Sequence, residues 1–447
     1  MRHDARMIAA RNWAAAFALA GLLGAAHAAL GQAIPAAEAS PISTGFSIPS
    51  LAGSLQWGVT ASESLTWGYY SGNNVAEFTN LSGDLAYLSN SAKDPFGIVA
   101  SGGRSWATSS APSYGFVDLG MSQSVTAGRW YFVFSDNVNY LPGTPTVGLS
   151  GVAGVGDLGV APAPVQVGPD SGQGVLTNYS PEITNTAAGS VQRPITGKTS
   201  LTGSASYTVL RFLDGQGSTG NFGVESDAVT GSAGLSHRVS GRDTIAGNYS
   251  YSSYIYLNNL SNGIPEPNFV SQTASMSYTH QVSPRFALSI AGGPEWVMIN
   301  FSNQGQTLNA FVDASANYSG EFSHLSLAYV RNTNSGYGVI GGAISDSVTF
   351  AASRVFARVW NGAVNLGYAQ TEGLPTPGVP AYDFHTFIES VQISRALARS
   401  FSAYASYTVE DQSHASAAST TDLFDGFSQT LGFGVTYSPT SKHFGRP

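Results

Sequence analysis

From about Ser54 to Tyr437 the chain alternates apolar with small polar side chains, in runs of roughly ten to sixteen residues that each end in a turn. Over Thr244 to Tyr251, one set is Ile245, Gly247, Tyr249 and Tyr251, and the other is Thr244, Ala246, Asn248 and Ser250. Over Phe401 to Val409, Phe401, Ala403, Ala405, Tyr407 and Val409 alternate with Ser402, Tyr404, Ser406 and Thr408. A period of two predicts strands with one greasy and one wettable face. Soluble strands run about five or six residues, so these are long. Their wettable faces also lack the Lys and Glu of a soluble surface. A tilted strand of about 9 to 11 residues crosses a hydrocarbon core, where the sheet must close on itself because lipid offers no hydrogen bonds. The pattern therefore predicts an all-β chain whose residues 54 to 438 form a transmembrane, antiparallel, up-and-down barrel.

Self-alignment of the turns adds a second signal. Ser124-Val125-Thr126-Ala127-Gly128-Arg129, Pro194-Ile195-Thr196-Gly197-Lys198, Arg238-Val239-Ser240-Gly241-Arg242 and Gln281-Val282-Ser283-Pro284-Arg285 each join an apolar residue, a small residue, a turn residue and a cation. Arg358 and Arg399 close looser copies, and the turn near Gly320 lacks the cation. Longer polar connections alternate with these tight turns, the longest covering 141 to 181. Short turns and long loops are the periplasmic and extracellular ends of a bacterial barrel, which gives about 18 strands, with 16 left open by the first four. The thirteenth and fourteenth are expected over 321–331 and 339–356. Charge follows the same axis. Eleven cations, among them Arg129, Lys198, Arg242, Arg285, Arg358 and Arg399, gather at the short-turn end, while Asp214, Glu225, Asp227, Glu266, Glu372, Asp383, Glu410, Asp411, Asp422 and Asp425 gather at the other.

Charged residues are only 10% of the 447, against about 25% in ordinary soluble domains. Arg2, Arg6 and Arg11 precede an apolar run from Trp13 to Ala26 and the small-x-small site Ala26-His27-Ala28, which predicts a signal peptide over 1 to 28 and an N-terminal periplasmic segment over 29 to 53. Its removal takes three of the 19 basic and one of the 27 acidic residues, leaving 16 against 26, or net −10. That balance disfavours a nucleic-acid partner. The absence of cysteine excludes disulfides, thiolate metal sites and a thiol nucleophile.

On these features the chain resembles Gram-negative outer-membrane β-barrels and is porin-like in one respect. The loop from Leu141 to Pro181 joins the fifth and sixth strands, where porins carry the loop that folds inward to narrow the channel. The resemblance implies a constriction there, for which Asp157 and Asp170 are the acidic candidates. It also implies that Leu431, Phe433, Val435 and Tyr437 form the C-terminal signal read by the barrel-assembly machinery, ahead of a tail over 439 to 447. Outer-membrane lipid and small hydrophilic solutes are the other implied partners, and a homo-oligomer is compatible with the fold.

Candidate chemistry is sparse. His237 and His280 share a depth near the turns and point outward by parity, as a headgroup belt would. No Gly-x-Ser-x-Gly or His-Glu-x-x-His occurs, and Gly197-Lys198-Thr199 lacks the earlier glycine of a phosphate loop, so no enzyme, cofactor or metal is expected. Trp57, Trp67, Trp106, Trp130, Trp296 and Trp360 are divided between an interfacial girdle and sugar stacking, with the girdle favoured. The expected function is a passive pore for small hydrophilic solutes. Alternatives are an export or assembly barrel, for instance for exopolysaccharide, a structural barrel and, least favoured, a barrel hydrolase.

Overall fold

A computed structural model describes residues 53–68, 75–89, 91, 94–108, 111–141, 181–213, 224–257, 268–300, 306–336, 340–357, 359–375, 383–414, 425–439 and 442–444. The expected signal peptide, most of the 29 to 53 segment, Asp157, Asp170 and Arg358 lie outside the described residues.

Among the described residues, nineteen strands follow one another. They are β1 Gly53–Trp67, β2 Ala76–Ser89, β3 Phe96–Ala107, β4 Tyr114–Ala127, β5 Trp130–Leu141 and β6 Glu182–Pro194. Next come β7 Thr199–Phe212, β8 Ser226–Arg238, β9 Asp243–Tyr256, β10 Phe269–Ser283, β11 Phe286–Ile299 and β12 Gln306–Ser319. The last are β13 Ser323–Asn334, β14 Ala343–Phe356, β15 Trp360–Gly373, β16 Asp383–Ala398, β17 Phe401–His414, β18 Gly426–Tyr437 and β19 Lys442–Phe444. Each of the first eighteen pairs antiparallel with its sequence neighbour, and β1 pairs with β18 from Val59↔Tyr437 to Trp67↔Gln429, so the sheet closes into an 18-stranded barrel. The tail expected beyond residue 438 is partly a strand: β19 pairs with β1 at Gly53↔Phe444 and Leu55↔Lys442, which extends the seam toward the periplasmic end.

The barrel is inside out relative to a soluble protein. Met276, Ile290, Leu235, Leu327, Phe433 and Val435 lie exposed on the outer face, Met276 at 68%. No water-facing sheet carries such a continuous apolar band, whereas lipid demands one. Trp57, Trp67, Trp106, Trp130, Trp296 and Trp360, the tryptophans of the described strands, occupy outward positions of the alternation, which fits the girdle and not sugar stacking in the lumen. Trp130 lies under the Arg193 guanidinium at 4.8 Å, Trp360 under Arg395 at 5.2 Å, and Trp57 meets Tyr437 edge-on at 5.7 Å.

The repeated turn sequence has a mechanism. The small residue supplies a hydroxyl that accepts backbone N–H groups across the turn: Thr196 from Lys198 and Thr199, Ser240 from Arg242 and Asp243, and Ser283 from Arg285. This side chain satisfies amides that no ladder reaches and leaves the cation at the headgroups. In the β4–β5 turn Gly128 takes φ 62°, a left-handed conformation suited to glycine.

Close to the seam, Tyr404 of β17 lies across Gly434 of β18, where an added Cβ would stand 2.5 Å from Tyr404 Cε1 and 2.8 Å from Ser62 Cβ. Gly434→Val therefore costs about 1 to 3 kcal/mol through overpacking. It should lower the temperature at which the folded gel band converts to the unfolded one, and adding Tyr404→Ala should restore it. Wild-type heat stability of the single variant would contradict this packing.

Candidate functional site

The inner face is a wall of paired hydroxyls. Cross-strand contacts join Ser200 to Ser236 at 2.6 Å, Ser204 to Ser232 at 2.7 Å, Thr230 to Ser252 at 3.0 Å, Thr186 to Thr208 at 3.1 Å and Thr279 to Ser289 at 3.2 Å. Near the seam, Thr60 meets Thr436 at 2.9 Å. Each hydroxyl keeps further capacity for water, so these pairs make the wall wettable. Asn248, Ser289, Ser406 and Thr436 have the inward facing that parity predicts, opposite Tyr249, Leu288, Ala405 and Phe433. Ser406 and Thr436 are nevertheless buried.

Charge inside is one-sided. Among the described strand residues, the charged side chains at inward positions are Asp84, Asp118, Glu182, Glu295, Asp313 and Glu410, with Arg238 at the periplasmic rim. Of the expected turn cations, Arg129, Lys198, Arg242, Arg285 and Arg399 lie in or beside tight turns at the short-turn end of the barrel. The lumen therefore presents carboxyls and hydroxyls to a solute.

At the extracellular end the wall overlaps itself. β12 pairs with β11 along its whole length but with β13 only from Ser319↔His324 to Val312↔Arg331, so 306–311 have no strand partner on that side. Beyond Arg331, β13 and β14 stay paired with each other and bend inward. Three residues at outward positions of this wall now touch its inner surface. Thr333 donates to Glu295 Oε2 through Oγ1 at 2.7 Å and its backbone N–H at 3.2 Å. Ile344 of β14 and Leu374, just after β15, pack with Tyr254, Tyr256, Phe269, Val297 and Ile299, all at inward positions of β9 to β11.

Glu295 holds this overlap together. It is 3% exposed and also accepts from Ser271 Oγ at 2.7 Å and Thr273 Oγ1 at 3.5 Å. A buried carboxylate is tolerable when donors surround it, and here the donors come from both layers. Tyr256 adds a bond from its hydroxyl to the Ser335 carbonyl at 3.1 Å. Gly342, at φ 89°, permits the approach, since a Cβ there would lie 2.7 Å from Phe269 Cε1. On the opposite surface of the bent strands, Asn334 donates to Ser345 at 2.9 Å, and Ser345 meets Thr371 at 3.0 Å.

This narrowing was not expected from the pattern. The expected constriction, the 141 to 181 loop, lies outside the described residues apart from its ends. Parity alone places Glu295 with Val297 and Ile299 on the lumen face, and Gly341-Gly342 marks a close approach, so part of the signal was present. The expected loop over 332–338 and strand start at 339 missed that β13 continues to Asn334.

His280 Nδ1 contacts Asp243 at 2.7 Å with Tyr278 donating to the same oxygen, on the outer face near the periplasmic turns. His237 meets Thr199 at 2.9 Å, His324 meets Ser319 at 3.1 Å, and His385 meets Tyr368 at 3.0 Å. Among the described residues, no three His, Cys, Asp or Glu side chains come together as a metal site.

No protein-family model matches the chain, and no curated protein matches it. Solved structures of similar fold include three from Pseudomonas aeruginosa. They are OpdQ, with 12% identity over 86% of this chain and 98% of that one and a TM-score of 0.40; OccK2 (OpdF) in complex with glucuronate, with 11%, 86%, 98% and 0.41; and OpdK with vanillate, with 12%, 87%, 99% and 0.41. At these values the likeness is one of fold, and the barrel itself rests on the pairing described above.

Single cysteines report the facing cleanly because the chain has none. Asn248→Cys should react with a water-soluble thiol reagent in proteoliposomes and Tyr249→Cys should not, with Ser406→Cys slow because that position is buried. Equal reactivity at 248 and 249 would refute the assigned register.

Proposed function

We propose that this chain is an outer-membrane pore through which small hydrophilic solutes diffuse passively, with a preference for cations. The observation that carries the reading is the division of the closed barrel into an apolar outer band and an inner wall of paired hydroxyls and carboxyls. A structural barrel has no need of a wettable interior, since a lumen without solute is more stable filled with apolar side chains. Transport then follows the concentration gradient, with hydroxyls exchanging hydrogen bonds with the passing solute and with water.

Selectivity follows from the inward carboxyls. The carboxyls of Asp84, Asp118 and Asp313, at inward positions of the wall, raise the local concentration of cations, an effect that salt weakens over about 8 to 10 Å. In planar bilayers under a salt gradient, the reversal potential should report cation preference that falls as salt rises. Asp84→Asn, Asp118→Asn and Asp313→Asn together should reduce it. Anion selectivity at low salt would overturn the assignment.

The Leu141 to Pro181 loop belongs to the same proposal as a second narrowing element, with Asp157 and Asp170 as its acidic candidates. Deleting Val147 to Asp170 should raise single-channel conductance without preventing assembly, because β5 and β6 are left intact. Unchanged conductance would place the loop outside the lumen.

A further inference from the structure

We infer that the extracellular ends of β13 and β14 form a gate with two hydrogen-bonded positions, clamped inward on Glu295 or zipped onto the free edge of β12. This rests on the pore reading. The inward position is the one described: Thr333, Ile344 and Leu374 turn faces built for the outside of the barrel onto its inner surface. Continuing the register past Val312↔Arg331 would set Phe311 opposite Asn332, Ala310 opposite Thr333 and Asn309 opposite Asn334.

Two observations point to that second position. First, the unpaired stretch of β12 lies where a free edge is costly. At about 3.4 Å per residue and a tilt of about 40°, Val312 stands ~16 Å and Leu308 ~26 Å above Tyr318, so the break begins in the upper part of an apolar band about 25 Å tall and runs to its rim. Leu308 is 65% exposed there. Backbone groups at that depth favour any strand that can pair with them. Second, Asn309 Nδ2 and Asn332 Oδ1 are both buried without a hydrogen-bond partner. One is a donor and the other an acceptor, they stand on the two sides of the break, and both take inward positions. In the zipped register they become diagonal neighbours on one face, where each supplies what the other lacks.

The hinge is also marked. Arg331 is the last residue of β13 paired to β12, and its ion pair with Asp346 ties it to β14 on the outer face, with Tyr329 donating to the same carboxylate at 2.6 Å. Below this point the wall is a regular ladder. Above it, β13 and β14 move together and carry the end of β15 with them, since β14 stays paired to β15 through Ala343↔Gly373. Zipping would remove Ile344 and Leu374 from the lumen and uncover Tyr254, Tyr256 and Phe269, widening the mouth.

Cysteine pairs test this directly. Ala310→Cys with Thr333→Cys should form a disulfide on mild oxidation of the folded protein in bilayers, raising conductance until the bond is reduced. Ser315→Cys with Ala328→Cys, facing each other in the paired part, serves as the control. Adding Glu295→Gln to the upper pair should speed its crosslinking roughly tenfold, the factor expected from losing charge-assisted bonds in the clamp. The gate is refuted if the control pair crosslinks and the upper pair does not, if crosslinking leaves conductance unchanged, or if Glu295→Gln leaves the crosslinking rate as it was. Retention of the heat-modifiable band shows that each variant is folded. A protein that crosslinks as expected but never conducts would refute the pore reading and leave the two strand positions standing.

Discussion

A backbone amide in hydrocarbon has no solvent to bond to, and nearly every feature of this chain answers that constraint. It explains the length of the strands and their antiparallel order. It also explains why the first and last barrel strands meet at Val59↔Tyr437 through Trp67↔Gln429, with β19 extending the pairing at Gly53 to Leu55. The turns obey it by other means, spending the hydroxyls of Thr196, Ser240 and Ser283 on amides that have left the ladder.

The constraint is relaxed between β12 and β13, and there the structure supplies a substitute. The ladder stops at Val312↔Arg331, and Glu295 takes over as the group that holds the wall together, gathering hydroxyl and amide donors from two layers. The charge-assisted hydrogen bonds at Glu295 are comparable in energy with a few ladder bonds, so either arrangement of the strands is accessible. The apolar contacts of Ile344 and Leu374 with the Tyr254 and Phe269 rings favour the inward one. A passive pore can thus have a narrow mouth built from its own wall.

Strand existence, facing and orientation were legible because each depends on local alternation. Expected spans such as 182 to 195 and 243 to 257 are close to the observed Glu182–Pro194 and Asp243–Tyr256. The turn cations were legible for a similar reason, since a small hydroxyl residue followed by a cation is a local motif. The overlap of β13 and β14 on the inner wall depends on contacts between residues far apart in sequence, such as Tyr256 with Ser335 and Glu295 with Thr333. Alternation continues unbroken through Arg331, Thr333, Ile344 and Asp346, so the pattern carries no mark of the point where outward positions cease to face outward. The strand within the C-terminal tail was hidden too, because three residues are too short for a periodic signal. Asp84, Asp118 and Asp313 sit on inward positions that parity identifies, yet their grouping within one lumen becomes visible only when the sheet closes.

The most direct measurement of the central claim is the swelling of proteoliposomes containing the purified protein in isosmotic solutions of uncharged polyols of increasing size. A wettable lumen narrowed at its mouth predicts rapid swelling with the smallest polyols and a fall in rate as size increases, since neutral solutes pass without help from the carboxyls. Swelling no faster than that of protein-free liposomes, even with the smallest polyol, would contradict the pore.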